Sequence, residues 1–173
     1  LSTAGLRPVV STSSATYLLI MFSLFQEYSS YVITYNSKEI HVALCPFLIK
    51  PNQHELGDIF GVKLESKEEV IPYARKLQDM GAVNVLISMG GKGAVLIDEH
   101  GNVYEADAPK GELKNSVGAG DSMVAGFMAG YLQTGNAFRM GVATGSASAF
   151  SENLATKREI SEVLKRVEVT CKR

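Results

Sequence analysis

The clearest chemical signal in the sequence is a glycine-rich segment at residues 115–122 (NSVGAGDS), where a loop becomes a helix. Glycines at such a point let the backbone approach a ligand, and a helix N-terminus favours a phosphate-sized anion. Asp121, in the first turn, has two interpretations. It is either a carboxylate that complements the helix dipole or a general base that takes a proton from a hydroxyl. The residue types alone leave both open.

The sequence contains neither of the two commonest phosphate-binding motifs. A Walker A loop needs Ser or Thr after Gly-Lys, but residues 91–93 read Gly-Lys-Gly. The dinucleotide fingerprint needs a third glycine after residues 118–120, where the chain has Met123. The segment therefore belongs to neither class.

Two further segments have residue types suited to binding phosphate or a metal ion. Residues 88–93 (SMGGKG) follow a predicted buried strand, where α/β sheets bind ligands, and Lys92 would add positive charge. A tight turn between two strands is the simpler explanation of the same residues. Asn52 and Glu55 have the spacing of a helix N-cap and its reciprocal acid. The alternative is that this pair organises magnesium, which usually keeps several of its waters.

The elements that would position these segments alternate between strands and helices. Apolar runs and turn residues predict strands at residues 47–49, 83–88, 94–97 and 103–106. Capping and glycine signals predict helices at residues 52–61, 66–81, 118–133, 136–150 and 156 onward. This alternation predicts an α/β layered fold with a mostly parallel sheet.

Two helical segments carry further information. Gly126 and Gly130 lower helix propensity by about 1 kcal/mol each, so they predict close packing against a neighbouring element. The charged stretch at residues 157–173 predicts a solvated helix face.

Composition limits the possible functions. The length of 173 residues predicts one domain, with or without a short appendage. A net charge of -1 argues against binding nucleic acid or acidic membranes through bulk charge. Cys45 and Cys171 lack metal-ligand spacing and form no disulfide framework, which favours the cytoplasm. The scattered histidines His41, His54 and His100 are predicted to lie at the surface.

Residues 1–45 differ from the rest of the chain. They contain only four charged side chains and are rich in Ser, Thr and Tyr. Their apolar run at residues 17–25 is shorter than the roughly 20 residues that span a bilayer. It predicts a buried strand or helix rather than a signal-peptide core. Because the chain starts at Leu1, we expect either a fragment or a lost leader.

The order of three segments resembles the ribokinase-like, phosphofructokinase-B family of sugar kinases. These are Asn-x-x-Glu, then Ser-x-Gly-Gly-x-Gly, then Gly-Ala-Gly-Asp opening a helix. Residues 47–56 (FLIKPNQHEL), 115–127 (NSVGAGDSMVAGF) and 145–154 (GSASAFSENL) resemble the 1-phosphofructokinase and tagatose-6-phosphate kinase branch. The resemblance covers about residues 46–167 and implies the C-terminal portion of a ribokinase-like fold.

The resemblance implies phosphorylation of a sugar phosphate, first of all fructose 1-phosphate, with ATP and Mg²⁺. Asp121 would take the hydroxyl proton, and Gly118, Ala119 and Gly120 would form the anion hole. The nucleotide would contact Ser88, Gly90, Gly91, Lys92, Gly93, Gly120, Asp121 and, near the adenine, Asn153. Asn52 and Glu55 would organise magnesium.

The departures from the family leave other functions open. Residues 1–45 do not resemble the family segment that should precede Phe47, although residues 9–11 are similar to one strand. The family's N-terminal half, which holds most sugar contacts and a β-sheet lid, has no counterpart here. The alternatives are a non-catalytic nucleotide-binding or assembly fragment, or a kinase acting on tagatose 6-phosphate, ribose or a nucleoside. An uncovered sheet edge would favour a homodimer.

Overall fold

The computed structural model describes residues 9–11, 46–133 and 135–172. Its strands are β1 (Val9–Ser11), β2 (Leu48–Lys50), β3 (Asn84–Ser88), β4 (Ala94–Ile97), β5 (Val103–Ala106) and β6 (Val169–Lys172). Its α-helices are α1 (Gln53–Phe60), α2 (Lys67–Asp79), α3 (Ala119–Gln133), α4 (Ala137–Ala149) and α5 (Lys157–Leu164). The predicted element at residues 17–25, His41 and Cys45 lie outside the described residues.

The strands form one sheet in the order β1-β2-β3-β4-β5-β6. Pairing is parallel from β1 to β3 and antiparallel from β3 to β6. The α/β layered class is confirmed, with a mixed sheet in place of a mostly parallel one. The physical reason is connection length, because a parallel crossover needs a dozen or more residues. The link from β3 to β4 is only a short 3-10 turn at Gly90–Lys92.

Helices cover both faces of the sheet, and this explains the uninterrupted apolar strands. Ile49, Val85 and Ile87 join a core with α1 and α2, whereas Leu48 and Leu86 join a core with α3 and α4. Successive side chains of a strand point to opposite faces, so a strand buried on both faces must be apolar throughout.

Local capping signals set the helix starts. The predicted capping boxes at Ser66 and Thr156 are both present, each with its glutamate three residues on. Gly61 ends α1 with a φ of 65°, in the left-handed region that glycine adopts without strain. Within the described ranges, no helix has the length and apolar character to cross a membrane.

The end of the chain corrects the prediction of a continuous helical face at residues 157–173. The helix α5 ends at Leu164, and residues Val169–Lys172 form β6, an exposed strand paired with β5. The Lys172 ammonium also forms an ion pair at 2.6 Å with the nearly buried Glu105 carboxylate. Backbone pairing and this ion pair together hold the last strand to the sheet.

Candidate functional site

The carboxyl ends of β2 and β3 lie side by side and define one edge of the site. Asn52 forms an isolated parallel bridge with Ser88, and the Ser88 N–H donates to the Pro51 carbonyl at 3.2 Å. Lys50 ends β2, and its Nζ donates to the Ser88 Oγ at 3.4 Å. Asn52 and Ser88, two predicted site residues from separate sequence motifs, are therefore neighbours.

Asn52 and Glu55 form the predicted capping box at the start of α1. The Asn52 Oδ1 accepts from the backbone N–H groups of His54 and Glu55, both at 2.9 Å. The Glu55 Oε2 accepts in return from the Asn52 N–H at 2.8 Å. This reciprocal arrangement fixes the half-buried Glu55 carboxylate at the carboxyl edge of the sheet.

The turn at residues 90–93 is both the predicted tight turn and an exposed backbone surface beside Ser88. Gly93 is buried with a φ of 93°, and a Cβ there would lie 2.0 Å from the Ala106 carbonyl oxygen. A side chain at that position would therefore push the turn off β5. Gly90 and Gly91 are exposed, with nothing within 4 Å of a Cβ built on either.

Lys92 has a different environment from the one the sequence indicated. Its side chain is exposed, and its Nζ donates to the Glu65 carbonyl at 2.7 Å. Contact with an ATP phosphate would require exchanging this hydrogen bond. The assignment of Lys92 to the nucleotide stays a prediction.

The glycine segment is held against the end of α4. The Ala149 carbonyl accepts from the N–H groups of Lys114 (2.9 Å) and Asn115 (3.1 Å). The Asn115 Oδ1 accepts from the Val117 N–H at 2.9 Å. Gly118 has a φ of 78°, and α3 begins directly after it at Ala119. The first turn of α3, which contains the half-buried Asp121, thus has a fixed starting point.

Lys50 joins the strand ends to the glycine segment, a role that sequence reasoning missed. It is only 3% exposed. A Cβ built on Gly120 would lie 3.1 Å from the Lys50 Nζ and 3.2 Å from its Cε. Burial lowers the pKa of the Lys50 ammonium below its ordinary value, while the carboxylates of Glu55 and Asp121 act in the opposite direction. A buried lysine needs such partners, and the available signal was a charged residue ending the apolar run FLIK.

Asn153 lies on the exposed segment that follows α4. The Asn115 side-chain amide donates to the Glu152 carbonyl at 3.3 Å, and the Leu154 side chain approaches Gly118. This segment therefore borders the glycine segment. The exposed apolar side chains of Val117 and Leu154 lie near this border and suit the face of a nucleobase.

The acidic groups fit a metal that is held mainly through substrate and water. The described part of the chain contains no cluster of three or more His, Cys, Asp or Glu residues suited to a metal. Magnesium typically takes one or two carboxylates together with substrate phosphates. Glu55 and Asp121, the two carboxylates that influence Lys50, match that donor set.

Likeness to solved structures defines the class of fold. The chain superimposes on Escherichia coli phosphofructokinase-2, in complex with substrates and products, with a TM-score of 0.61 and 29% identity. That match covers 68% of this chain and 40% of the other. Ribokinase from Arabidopsis thaliana, at 21% identity and a TM-score of 0.60, supports the fold alone. The fold is that of the ribokinase-like kinases.

Sequence comparison gives the family. The chain belongs to the pfkB family of carbohydrate kinases, whose profile it matches over residues 33–160. It is 53% identical over 128 residues to 1-phosphofructokinase of Bacillus subtilis, covering 72% of this chain and 42% of that protein. It is 38% identical over 130 residues to D-tagatose-1-phosphate kinase of Bacillus licheniformis, covering 72% and 42%. The chain thus spans less than half the length of these relatives, and the predicted boundary at residue 45 stays a prediction.

Proposed function

We propose that this chain is the nucleotide-binding part of an ATP-dependent sugar-phosphate kinase, with fructose 1-phosphate as the favoured acceptor. The observation that carries the proposal is the buried Lys50 ammonium between Ser88 and Gly120. It puts a positive charge where a strand end, a glycine-opened helix and two carboxylates converge. Such a convergence suits a polyphosphate, because phosphoryl transfer depends on positioning and charge stabilisation.

In this proposal each residue has one role. Asp121 accepts the proton of the sugar hydroxyl while the hydroxyl oxygen bonds to the terminal phosphorus of ATP and ADP leaves. The backbone N–H groups at residues 118–120 and the Lys50 ammonium stabilise the charge on the transferring group. Residues 88–93 lie along the other phosphates, and Asn153 lies near the adenine. The protein supplies little covalent chemistry beyond the proton transfer.

Magnesium is the proposed metal, and Glu55 would hold it, oriented by its hydrogen bond from the Asn52 N–H. When bound, the ion neutralises phosphate charge. The choice of sugar rests on the relatives, one of which is named 1-phosphofructokinase and another D-tagatose-1-phosphate kinase. We further propose a cytoplasmic protein that forms homodimers, binding sugar phosphate and ATP and neither nucleic acid nor membrane.

A second candidate is a nucleotide-binding fragment without catalytic activity. The matched region spans 42% of each relative, so the acceptor contacts of a whole relative are not assigned to this chain. Both candidates use the same nucleotide site, so ATP binding does not separate them. Turnover does, because in-line positioning of the acceptor is worth about 7–11 kcal/mol and needs contacts on both sides of the reacting groups.

The test combines calorimetry with ATP·Mg²⁺ and a coupled kinase assay with fructose 1-phosphate. We expect the chain to bind ATP and to turn over far below about 10 s⁻¹, the usual enzyme value. Asp121→Asn should keep ATP affinity and lower the remaining rate by about 10²–10⁴. Asp58→Asn, which changes an exposed acid on α1, is the control. ATP binding without any turnover would favour the fragment, and no ATP binding would exclude both candidates.

A further inference from the structure

Two buried serines connect α3 to the end of the neighbouring helix α4. The Ser148 Oγ donates to the Ser122 Oγ at 2.9 Å, with exposures of 4% and 8%. Ser122 directly follows Asp121 in the first turn of α3. Ser148 is the next-to-last residue of α4. The pair therefore lies one residue along α3 from the proposed base.

Ser148 also contacts the segment beyond α4. Its Oγ accepts from the Ala155 N–H at 3.4 Å. One hydroxyl thus uses its proton towards α3 and a lone pair towards the segment that contains Asn153, as a serine can. A buried hydroxyl left without a partner is costly, so both contacts resist being broken.

The surrounding backbone leaves little room for this junction to shift. A Cβ built on Gly145 would lie 3.0 Å from the Ala119 carbonyl oxygen, so the start of α3 rests directly on α4. The Ala149 carbonyl meanwhile holds the loop before α3 through two N–H groups. Ser148 lies between these two backbone contacts along α4, and its side chain links α3 to Ala155.

We propose that Ser148 is a positioning residue that fixes the spacing between Asp121 and the nucleotide segment at residues 151–155. The role in catalysis rests on the proposed function, whereas the mechanical link does not. The Ser148 link would keep Asp121 aligned with the bound nucleotide. Such alignment matters because a misplacement of the reacting groups by about 1 Å can cost about 10²-fold in rate. Ser122 accepts the hydrogen bond through which Ser148 contacts α3.

The test measures amide hydrogen exchange and ATP·Mg²⁺ affinity in Ser148→Ala, Ser122→Ala and the double variant. In Ser148→Ala we expect exchange to quicken about two- to tenfold at Ala155 and in the first turn of α3, the effect of losing one neutral hydrogen bond. ATP affinity should fall by a similar factor. The double variant should match Ser148→Ala rather than the product of the two single effects. Ser161→Ala, which removes an exposed helical hydroxyl, should change neither quantity.

Several outcomes would overturn this inference. Uniformly faster exchange with a lower Tm and unchanged ATP affinity would leave Ser148 with a purely structural role. Faster exchange at only one of the two segments would show that they are not linked. If the unmodified chain does not bind ATP·Mg²⁺, the proposed function fails, and the exchange at the two segments still decides whether Ser148 links them.

Discussion

Replacing Gly120 by alanine tests whether Lys50 takes part in phosphate binding. The new methyl carbon would lie 3.1 Å from the Lys50 Nζ and 3.2 Å from its Cε, closer than ordinary van der Waals contact. Gly120 is not among the glycines with positive φ, so the backbone accepts alanine. The side chain of Lys50 must therefore yield by a few tenths of an ångström. The substitution moves the ammonium without removing its charge.

The size of the effect follows from the contact that is disturbed. A hydrogen bond to a charged group contributes about 1.5–3 kcal/mol, which corresponds to about 10- to 150-fold in Kd. Because the ammonium is displaced rather than lost, we expect the lower end, about tenfold weaker ATP·Mg²⁺ binding. Calorimetry on the purified chain measures it, with the Tm recorded to exclude unfolding.

Lys50→Met supplies the control for this experiment. It should weaken ATP·Mg²⁺ binding more than Gly120→Ala, and adding Gly120→Ala to it should have little further effect. Equal weakening by Gly120→Ala in the wild-type chain and in Lys50→Met would show that the methyl group keeps ATP away from the backbone. The effect would then not act through Lys50. Wild-type affinity in both single variants would remove Lys50 from the phosphate site.

Three further predictions test the charges and the packing around the site. The lowered pKa of Lys50 means that its ammonium loses its proton at a lower pH than an ordinary lysine. ATP affinity should thus fall as the pH rises through the pKa of Lys50, whereas the affinity of Lys50→Arg, whatever its size, should not fall over the same pH range because arginine stays charged. Gly126→Ala should lower the Tm, at a cost of about 1–3 kcal/mol, because its Cβ would lie 2.4 Å from the Thr144 Oγ1. The exposed Ala125→Val should stay within about 0.5 kcal/mol, and a higher Tm for Gly126→Ala would contradict the packing argument. Glu55→Gln should weaken ATP binding with Mg²⁺ and strengthen it in EDTA; a change of the same sign in both would exclude Glu55 as the metal ligand.

Local sequence signals predicted most of the described elements. The capping boxes at Ser66 and Thr156 and the glycine stop at Gly61 depend on neighbouring residues alone, so they could be read directly. Gly126 was correctly assigned to close packing, since it faces Thr144 on α4. The relative direction of the strands was predicted less well, because β3 to β6 pair antiparallel. The five residues between β3 and β4 already required an antiparallel pair, but the repeated alternation of strands and helices was given more weight.

Sequence reasoning identified only part of the candidate site, because its buried cation, Lys50, is placed there by tertiary structure. Lys92 stands among glycines and attracted the phosphate assignment, yet its Nζ donates to the Glu65 carbonyl. Lys50 ends an apolar strand, and its charge at that position was the one local signal, which does not indicate a role in a site. Only the folded chain places it against Ser88 and Gly120, residues 38 and 70 positions away along the sequence. Contacts between residues so far apart in the sequence produce no local sequence pattern.

The balance of charge around Lys50 is the physical reason for proposing a metal ion in this site. One buried ammonium faces two carboxylates, Glu55 and Asp121, whose fields act on its pKa. Taking an ammonium out of water costs several kcal/mol, and these carboxylates offset that cost. They also leave an excess of negative charge where a polyphosphate would bind. A divalent cation held there by Glu55 would offset this excess beside the phosphates. This is why Glu55→Gln is expected to have opposite effects with and without Mg²⁺, an outcome that a purely structural capping residue would not give.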